Sequence, residues 1–492
     1  MTRVAVRWPT IFAWPFAAFL TALTTGCSFA PEYARPALPV EDRYPADAPA
    51  PPGERAAAEL AWQDYFADPQ LQALIAQALQ HDRDLRLAVL RVLEARAFYQ
   101  IRRADQFPTV DANADTLQFR VPSNVSATGN ARDESAYDVG GSIATWEVDF
   151  WGRVRNLKSG ALEQFLATDA ARRAFTVSLV AQVADGYLAL REFDERLALT
   201  RETIRTREES FRIFQRRFEV GTTTRLDVAQ VETLLTQAQT LGAQLEQARA
   251  TQAHALTLLV GTEPAGLADT ANLDDAAIVP DLRVGLPSEL LENRPDVVAA
   301  EHRLKAANAN VGAARAAFFP NITLTGFYGT ASDQLDGLFD SGTRAWLFWP
   351  HLVLPIFDAG RRRASEDLAE VRRNAAVADY ERTVQVAFRD VADALSAQHW
   401  LLEQVAIQRR ALAAQQERAR LAALRYDRGS ATFLEVLDAQ RDLLFAQQLL
   451  VQMRRGLLSS RVALYAALGG GSQLYGEPPP ANARFEARQV TQ

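Results

Sequence analysis

The sequence predicts a mixed α and β membrane protein: two tandem repeats, mostly very long α-helices, with four transmembrane β-strands per chain. Three observations carry that expectation. The chain repeats itself once. No proline occurs between Pro122 and Pro264 or between Pro355 and Pro478, so helices there can run far beyond three turns. Four short segments among the helices mix polar and apolar faces and end in aromatic residues, the pattern of strands in a membrane barrel.

The N-terminus comes first. Arg3 and Arg7 precede an apolar run from Ile11 to Leu23 and then "LTTGC". That order reads as a secretory signal over residues 1–26 and not as a membrane span. Cys27 is the one cysteine, so no internal disulfide and no cysteine metal cage can form. With Gly26 before it, it resembles a bacterial lipoprotein processing site, although Thr24 stands where such signals carry leucine. Ser28 follows it, which by that resemblance favours sorting to the outer membrane. A buried free cysteine is the other reading. Residues 27–60 read as a lipidated, extended leader, because their proline density excludes helix.

After Cys27 no run of 18 apolar residues occurs, so the mature chain has no transmembrane helix. With 53 basic and 60 acidic residues among 492, the net charge is −7, and no basic stripe points to nucleic acid.

Repeat 1 spans residues 61–261 and repeat 2 residues 287–471, with a linker at 262–286 and a flexible tail at 472–492. At an offset of 212, Asp84 meets Asp296, Ala95 meets Ala307 and Pro108 meets Pro320. Further on the offset falls to 208, where Gly152 meets Gly360, Gly221 meets Gly429 and Gly261 meets Gly469. Each repeat reads as helix, strand, polar loop, strand and a very long helical hairpin, turning at Gly221 or Gly429. Helix from Arg153 to Val220 would measure roughly 100 Å at 1.5 Å per residue, about three bilayer cores, so it belongs in an aqueous compartment.

The returning helices carry coiled-coil spacing. Val231, Leu234, Ala238, Leu241, Leu245, Ala248, Ala255 and Leu259 form one seam, with Gln252 as its polar interruption. In repeat 2 two adjacent columns step by seven: Val436, Leu443, Leu450, Leu457, Leu464, and Leu437, Leu444, Val451, Leu458, Tyr465. Two columns make a face wide enough for a neighbour on each side.

Strands are expected near 109–119, 139–150, 320–329 and 344–357. "SIATWEVDFWG" sets Ala144, Trp146, Val148 and Phe150 against Ile143, Thr145, Glu147 and Asp149, and "NITLTGFYG" alternates except at Phe327. "RAWLFWPHLVLPIF" is aromatic throughout and contains Pro350 and Pro355. Four strands cannot close a barrel and an open edge is forbidden in lipid, so several chains must pool their strands.

"GCSFAPEYARP", "RPDVVAAEHRLKAANANVGAARAAFFPNITLTG", the paired "DFWGR" and "IFDAGRRR", "RYDRGSATFLEVLDAQRDL" and "VALYAALGGG" occur in that order. Together they resemble the TolC-like outer-membrane factors, in the lipoprotein (NodT-type) branch of efflux proteins, from Cys27 to about Gly471. The resemblance implies a homotrimer, with a shared twelve-stranded barrel in the outer membrane lipid and a periplasmic α-barrel below it. It implies a passive gated duct in a tripartite efflux pump. The partners it implies are a periplasmic adaptor and an inner-membrane pump of the RND type, and the bacterium is Gram-negative.

By the same resemblance the corners Val220, Gly221, Thr222 and Arg428, Gly429, Ser430 dock the adaptor. An ordinary turn glycine is the plainer reading of each. Glu435 and Asp438, three residues apart on one helix face, resemble an acidic aperture, with Tyr426, Asp227 and Arg441 at positions whose polar contacts hold the closed state. Acids at a helix start also suit the helix dipole, which accounts for Glu435 better than for Asp438. Ala431 stands where some relatives carry a gate arginine, which leaves Arg425 or Arg428 to rebuild that latch.

No P-loop and no G-x-S-x-G elbow occurs, and His81, His254, His302, His351 and His399 are scattered, so neither an enzyme nor a metal site is expected. No cofactor is expected beyond the lipid on Cys27. A structural periplasmic coiled-coil lipoprotein without a pore is the alternative; the strands inside each repeat favour the duct.

Overall fold

The computed structural model describes residues 28–45, 55–264, 272–279 and 282–476. The expected signal segment, the lipid site at Cys27 and most of the expected tail lie outside the described residues.

Helical turns at Ala57–Glu59 and Trp62–Tyr65 lead to α1 (Pro69–His81) and α2 (Arg83–Ala104). Then come β1 (Asp111–Val121), β2 (Arg132–Glu147), α3 (Arg153–Glu219) and α4 (Arg225–Val260). Two further turns, Pro287–Glu289 and Leu290–Asn293, precede α5 (Pro295–Ala316). The last elements are β3 (Asn321–Ser332), β4 (Arg344–Val353), α6 (Arg361–Asp427) and α7 (Phe433–Ala467). The duplication is visible in the lengths: α2 and α5 have 22 residues each, α3 and α6 have 67 each.

The chain divides into two compact units. One comprises Leu93–Ala167 and Glu301–Asp379 with the chain up to Pro36, and contains all four strands. They form one antiparallel sheet in the order β1-β2-β3-β4. Its two outer strands, β1 and β4, each have a free edge among the described residues.

Strand limits differ from the expected ones, and for physical reasons. β2 begins at Arg132 because Asp115–Val121 of β1 pair with the polar segment 132–138. Backbone pairing carries the ladder where side-chain patterning reads as loop. β2 stops at Glu147, since the Asp149 carboxylate accepts from the amides of Val154 (3.1 Å) and Arg155 (2.8 Å) and so starts α3 instead. A register shift between Ile143 and Trp146 also breaks the strict alternation expected there. β4 ends at Val353, short of Pro355, while Pro350 is tolerated opposite Leu324 because β4 is an edge strand.

Phe327, the exception to the alternation of β3, has a clear role. Gly140 and Gly329 are direct partners across β2 and β3, and the Phe327 ring lies over both. A Cβ at Gly329 would come within 2.2 Å of the Val139 carbonyl oxygen and 2.9 Å of the Phe327 ring. Gly329→Ala is therefore expected to destabilise the sheet by about 2–3 kcal/mol. Gly326→Ala is the control, because its nearest neighbour is 3.7 Å away. On gels of samples preheated over a series of temperatures, the folded band should be lost at a lower temperature for the first variant only.

The second unit comprises Ala37–Val92, Thr168–Ala300 and the chain from Tyr380 onward. Tyr65 stacks on Tyr465 at 4.4 Å, and their hydroxyls donate to the carbonyls of Arg461 and Leu60, each at 2.8 Å. Burial pushes both phenol pKa values well above the ordinary range. The column Leu437, Leu444, Val451, Leu458, Tyr465 is buried throughout. The seam of α4 is buried at Val231, Leu234, Ala238 and Leu245, but further on it moves from the expected Ala255 and Leu259 to Leu256 and Val260. A straight helix drifts against a seven-residue repeat in this way.

Candidate functional site

Two helix corners in the second unit carry the candidate residues. Each ends its helix by the same device. In the first, Gly221 (φ 75°) donates to Phe218 at 3.0 Å, and the amide of Thr222 donates to Arg217 at 2.9 Å. In the second, Gly429 (φ 71°) donates to Tyr426 and Ser430 to Arg425, both at 2.9 Å. The left-handed glycine allows the pair of bonds that satisfies the last carbonyls of a helix. The Thr222 and Ser430 hydroxyls reach the same two carbonyls at 3.0 Å. Val220, Arg428 and both glycines are exposed, with nothing within 4 Å of an added Cβ on either glycine.

The helices leaving the corners start differently. Thr224 and Asp227 form a reciprocal capping box at the start of α4. Hydrogen bonds from Thr224 and Thr223 hold the Asp227 carboxyl below the usual aspartate range. Thr432 and Glu435 have the same spacing, a signature visible in sequence, yet Thr432 makes no side-chain cap bond. Glu435 instead pairs with Arg425 at 2.9 Å, and Arg425 also donates to the Ser430 carbonyl. Arg425 thus bridges the residue before Ala431 and the first turn of α7 within one corner. One turn on, Asp438 pairs with Arg441 at 3.1 Å. Arg441 continues to Asp442, and Asp442 to Arg418 of α6 at 2.6 Å. Arg418, followed by Arg441, holds the Asp442 carboxyl below its ordinary value.

The corners also meet each other. The Arg217 guanidinium donates to the Tyr426 hydroxyl at 2.7 Å and sits over the Phe214 ring. Phe433 packs at a tilt between Phe214 (4.3 Å) and Tyr426 (4.9 Å) and borders two buried clusters, one around Val231 and Leu437, the other around Val436 and Ala439. Tyr426 therefore reaches Arg217 and not Asp227, whose carboxylate is engaged by its own threonines. Sequence reasoning missed Arg217 and Phe433. The repeat offset held one signal: Arg217 plus 208 is Arg425, so both corners place an arginine at the same point, one bonding Tyr426 and the other Glu435.

The sequence matches the family described as outer membrane efflux protein over residues 74–262 and 286–470. The chain belongs to that family.

Relatives of the efflux protein agree along its length. The toluene efflux pump outer membrane protein TtgC of Pseudomonas putida is 44% identical over 450 residues, 91% of this chain and 93% of that one. The outer membrane protein OprJ of Pseudomonas aeruginosa is 42% identical over 461 residues, 93% and 96% of the two chains. Among solved structures, the open state of the MtrE outer membrane channel of Neisseria gonorrhoeae has a TM-score of 0.83 at 37% identity, covering 90% of this chain and 98% of that one. The efflux protein is an outer-membrane channel component of an efflux pump, and its family is one of channels, not enzymes. No helix among the described residues is long and apolar enough to cross a membrane. The strand sheet carries Trp346, Leu347, Phe348 and Trp349 exposed on β4.

Proposed function

We propose that three copies of the chain pool their strands into a twelve-stranded barrel and let small molecules leave through it. The observation that carries this is the open sheet: β1 and β4 have free edges that lipid does not tolerate, and β4 of one chain can pair with β1 of the next. The trimer number follows the family resemblance. The duct is passive; an inner-membrane pump, of the RND type in this reading, supplies the energy, and the channel performs no catalysis and uses no cofactor. A lipid on Cys27 would add a second anchor in the outer membrane.

In this assembly the corners Val220–Gly221–Thr222 and Arg428–Gly429–Ser430 face the periplasmic adaptor. Three copies of Asp438 and Glu435 surround the periplasmic mouth. Each acid has an arginine in its own chain, Arg441 or Arg425, so the ring is a set of ion pairs and not bare charge. Such exposed pairs are individually weak, about 0–1 kcal/mol, and so can exchange partners when the hairpins splay. Tyr426, Arg441 and Asp227 then act as holding residues, the last by stiffening its corner.

Single-channel recording in planar bilayers tests the gate. Asp438→Ala is expected to raise conductance and to weaken block by divalent cations, because each subunit loses one acid from the mouth. An unchanged conductance together with unchanged divalent block would remove Asp438 from the constriction.

A further inference from the structure

The second unit holds a half-open cavity of about 360 Å³ between α3, α4 and α7. Arg207 of α3 lines it and is only 4% exposed. Its Nη1 donates to the Leu234 carbonyl at 2.5 Å, while its Nε and Nη2 have no partner. No carboxylate among the described residues pairs with it. The other two arginines of the cavity are neutralised: Arg196 by Glu192 at 2.8 Å, Arg441 by Asp438 and Asp442. The cavity therefore contains one uncompensated, desolvated positive charge, an arrangement that costs free energy unless a counter-charge arrives.

The vacant atoms are informative. Nε and Nη2 are the two parallel donors on one side of a guanidinium, the pair that grips a carboxylate in a fork. The chain uses this fork repeatedly: Arg212 on Glu209 (3.1 and 2.6 Å), Arg294 on Asp296 (3.0 and 2.5 Å), Arg420 on Glu417 (2.8 and 2.7 Å). In Arg207 the same fork is empty. Around it the wall is mostly apolar, with Leu241, Leu444 and Phe445, and its volume lies near the lower end of small-molecule sites, which begin at about 300 Å³.

We propose that this cavity binds a small aromatic monocarboxylate, its carboxylate on the Arg207 fork and its ring against Leu241, Leu444 and Phe445. One vacant cation matches one negative charge, and apolar walls disfavour a multiply charged inorganic anion. Both nitrogens are shielded from solvent, so the ligand must displace a lining side chain to reach them. The site shares Arg441 with the proposed gate but does not rest on that reading, because Arg441 is already paired with Asp438 and Asp442.

Fluorescence titration of the assembled, detergent-solubilised channel with 2-naphthoate, and with its neutral analogue 2-naphthamide, tests the proposal. Saturable binding of one naphthoate per chain is expected, at least about tenfold tighter than naphthamide, because only the anion completes the fork. Arg207→Met should abolish that discrimination. Leu241→Trp keeps the charge and fills the cavity, and should abolish binding of both. Equal binding of the two probes to the unaltered channel, no saturable naphthoate binding, or full discrimination by Arg207→Met would overturn the proposal. The comparison on the unaltered channel decides even if Arg207→Met fails to assemble.

Discussion

Replacing Arg294 by methionine should destabilise the second unit by about 2–3 kcal/mol, because a buried guanidinium loses its charged partners while those carboxylates, 36% and 31% exposed, stay partly in water. The side chain precedes α5 and is 8% exposed, so its partners are protein groups rather than bulk solvent. Its Nε and Nη2 grip Asp296 in the first turn of α5, and Nη1 reaches Asp390 of α6 at 3.2 Å. The same nitrogen approaches the carbonyls of Ala387 and of Ala467, the last residue of α7, each at 3.4 Å. One guanidinium thus ties three helices together, and methionine would leave Asp390 without its interhelical cation. Burial alone would lower the arginine pKa, but Asp296 and then Asp390 outweigh it and the value is raised. A raised basic group contributes in full below its unfolded pKa and loses that contribution only as pH rises through the folded one. Thermal melts followed by circular dichroism at neutral pH therefore read the whole effect. Arg294→Lys keeps the charge without the fork and should lose roughly half as much. Superimposable melts for the parent and the methionine variant would show that the cluster is not a tie.

Arg294 also marks where the repeat stops being a guide. Its counterpart at offset 212 is Asp82, whose carboxylate accepts from the Leu85 amide at 2.6 Å and caps α2. The same step in the repeat does local work in one copy and long-range work in the other. Features governed by local rules were legible in the sequence: the proline-free helices, the left-handed glycines at the corners and the buried column from Leu437 to Tyr465. The beginning of β2 was not, because its polar residues 132–138 are held by ladder pairing with β1, which leaves no trace in side-chain period. Arg207, Arg217 and Phe433 were missed for a related reason. Their importance comes from what another helix brings opposite them, and exposed-looking arginines between glutamates read as a solvated face. Asp227 was expected among the closed-state contacts and Glu435 in the acidic aperture; one is closed into a capping box and the other is drawn to Arg425.

Phe433→Ala is expected to raise the frequency of channel opening about thirtyfold, and Tyr426→Phe about fivefold. The difference rests on what each side chain joins. Phe433 lies between Phe214 of α3 and Tyr426 of α6 and borders both buried clusters at the corners. Removing a half-buried ring costs less than the 3–5 kcal/mol of a core phenylalanine, so about 2 kcal/mol is the appropriate scale. That amount moves a two-state equilibrium about thirtyfold. Tyr426→Phe keeps the ring and deletes only the 2.7 Å bond from Arg217, a charged donor that is itself exposed. Solvent competes for that bond, leaving about 1 kcal/mol and about a fivefold change. Single-channel opening rates distinguish the two; a Tyr426→Phe effect that exceeds the Phe433→Ala effect would mean that the polar latch, and not the aromatic seam, joins the hairpins. The seam has a further consequence for the acids. Phe433, Glu435 and Asp438 ride on the first two turns of one continuous helix, α7. Separating Phe433 from Phe214 must carry both carboxylates with it, and Arg425 lies on α6 of the same hairpin. Because α6 and α7 form one hairpin, the Glu435–Arg425 pair travels intact, whereas the Arg217–Tyr426 bond must break with the seam, so apolar contact and that hydrogen bond oppose separation together.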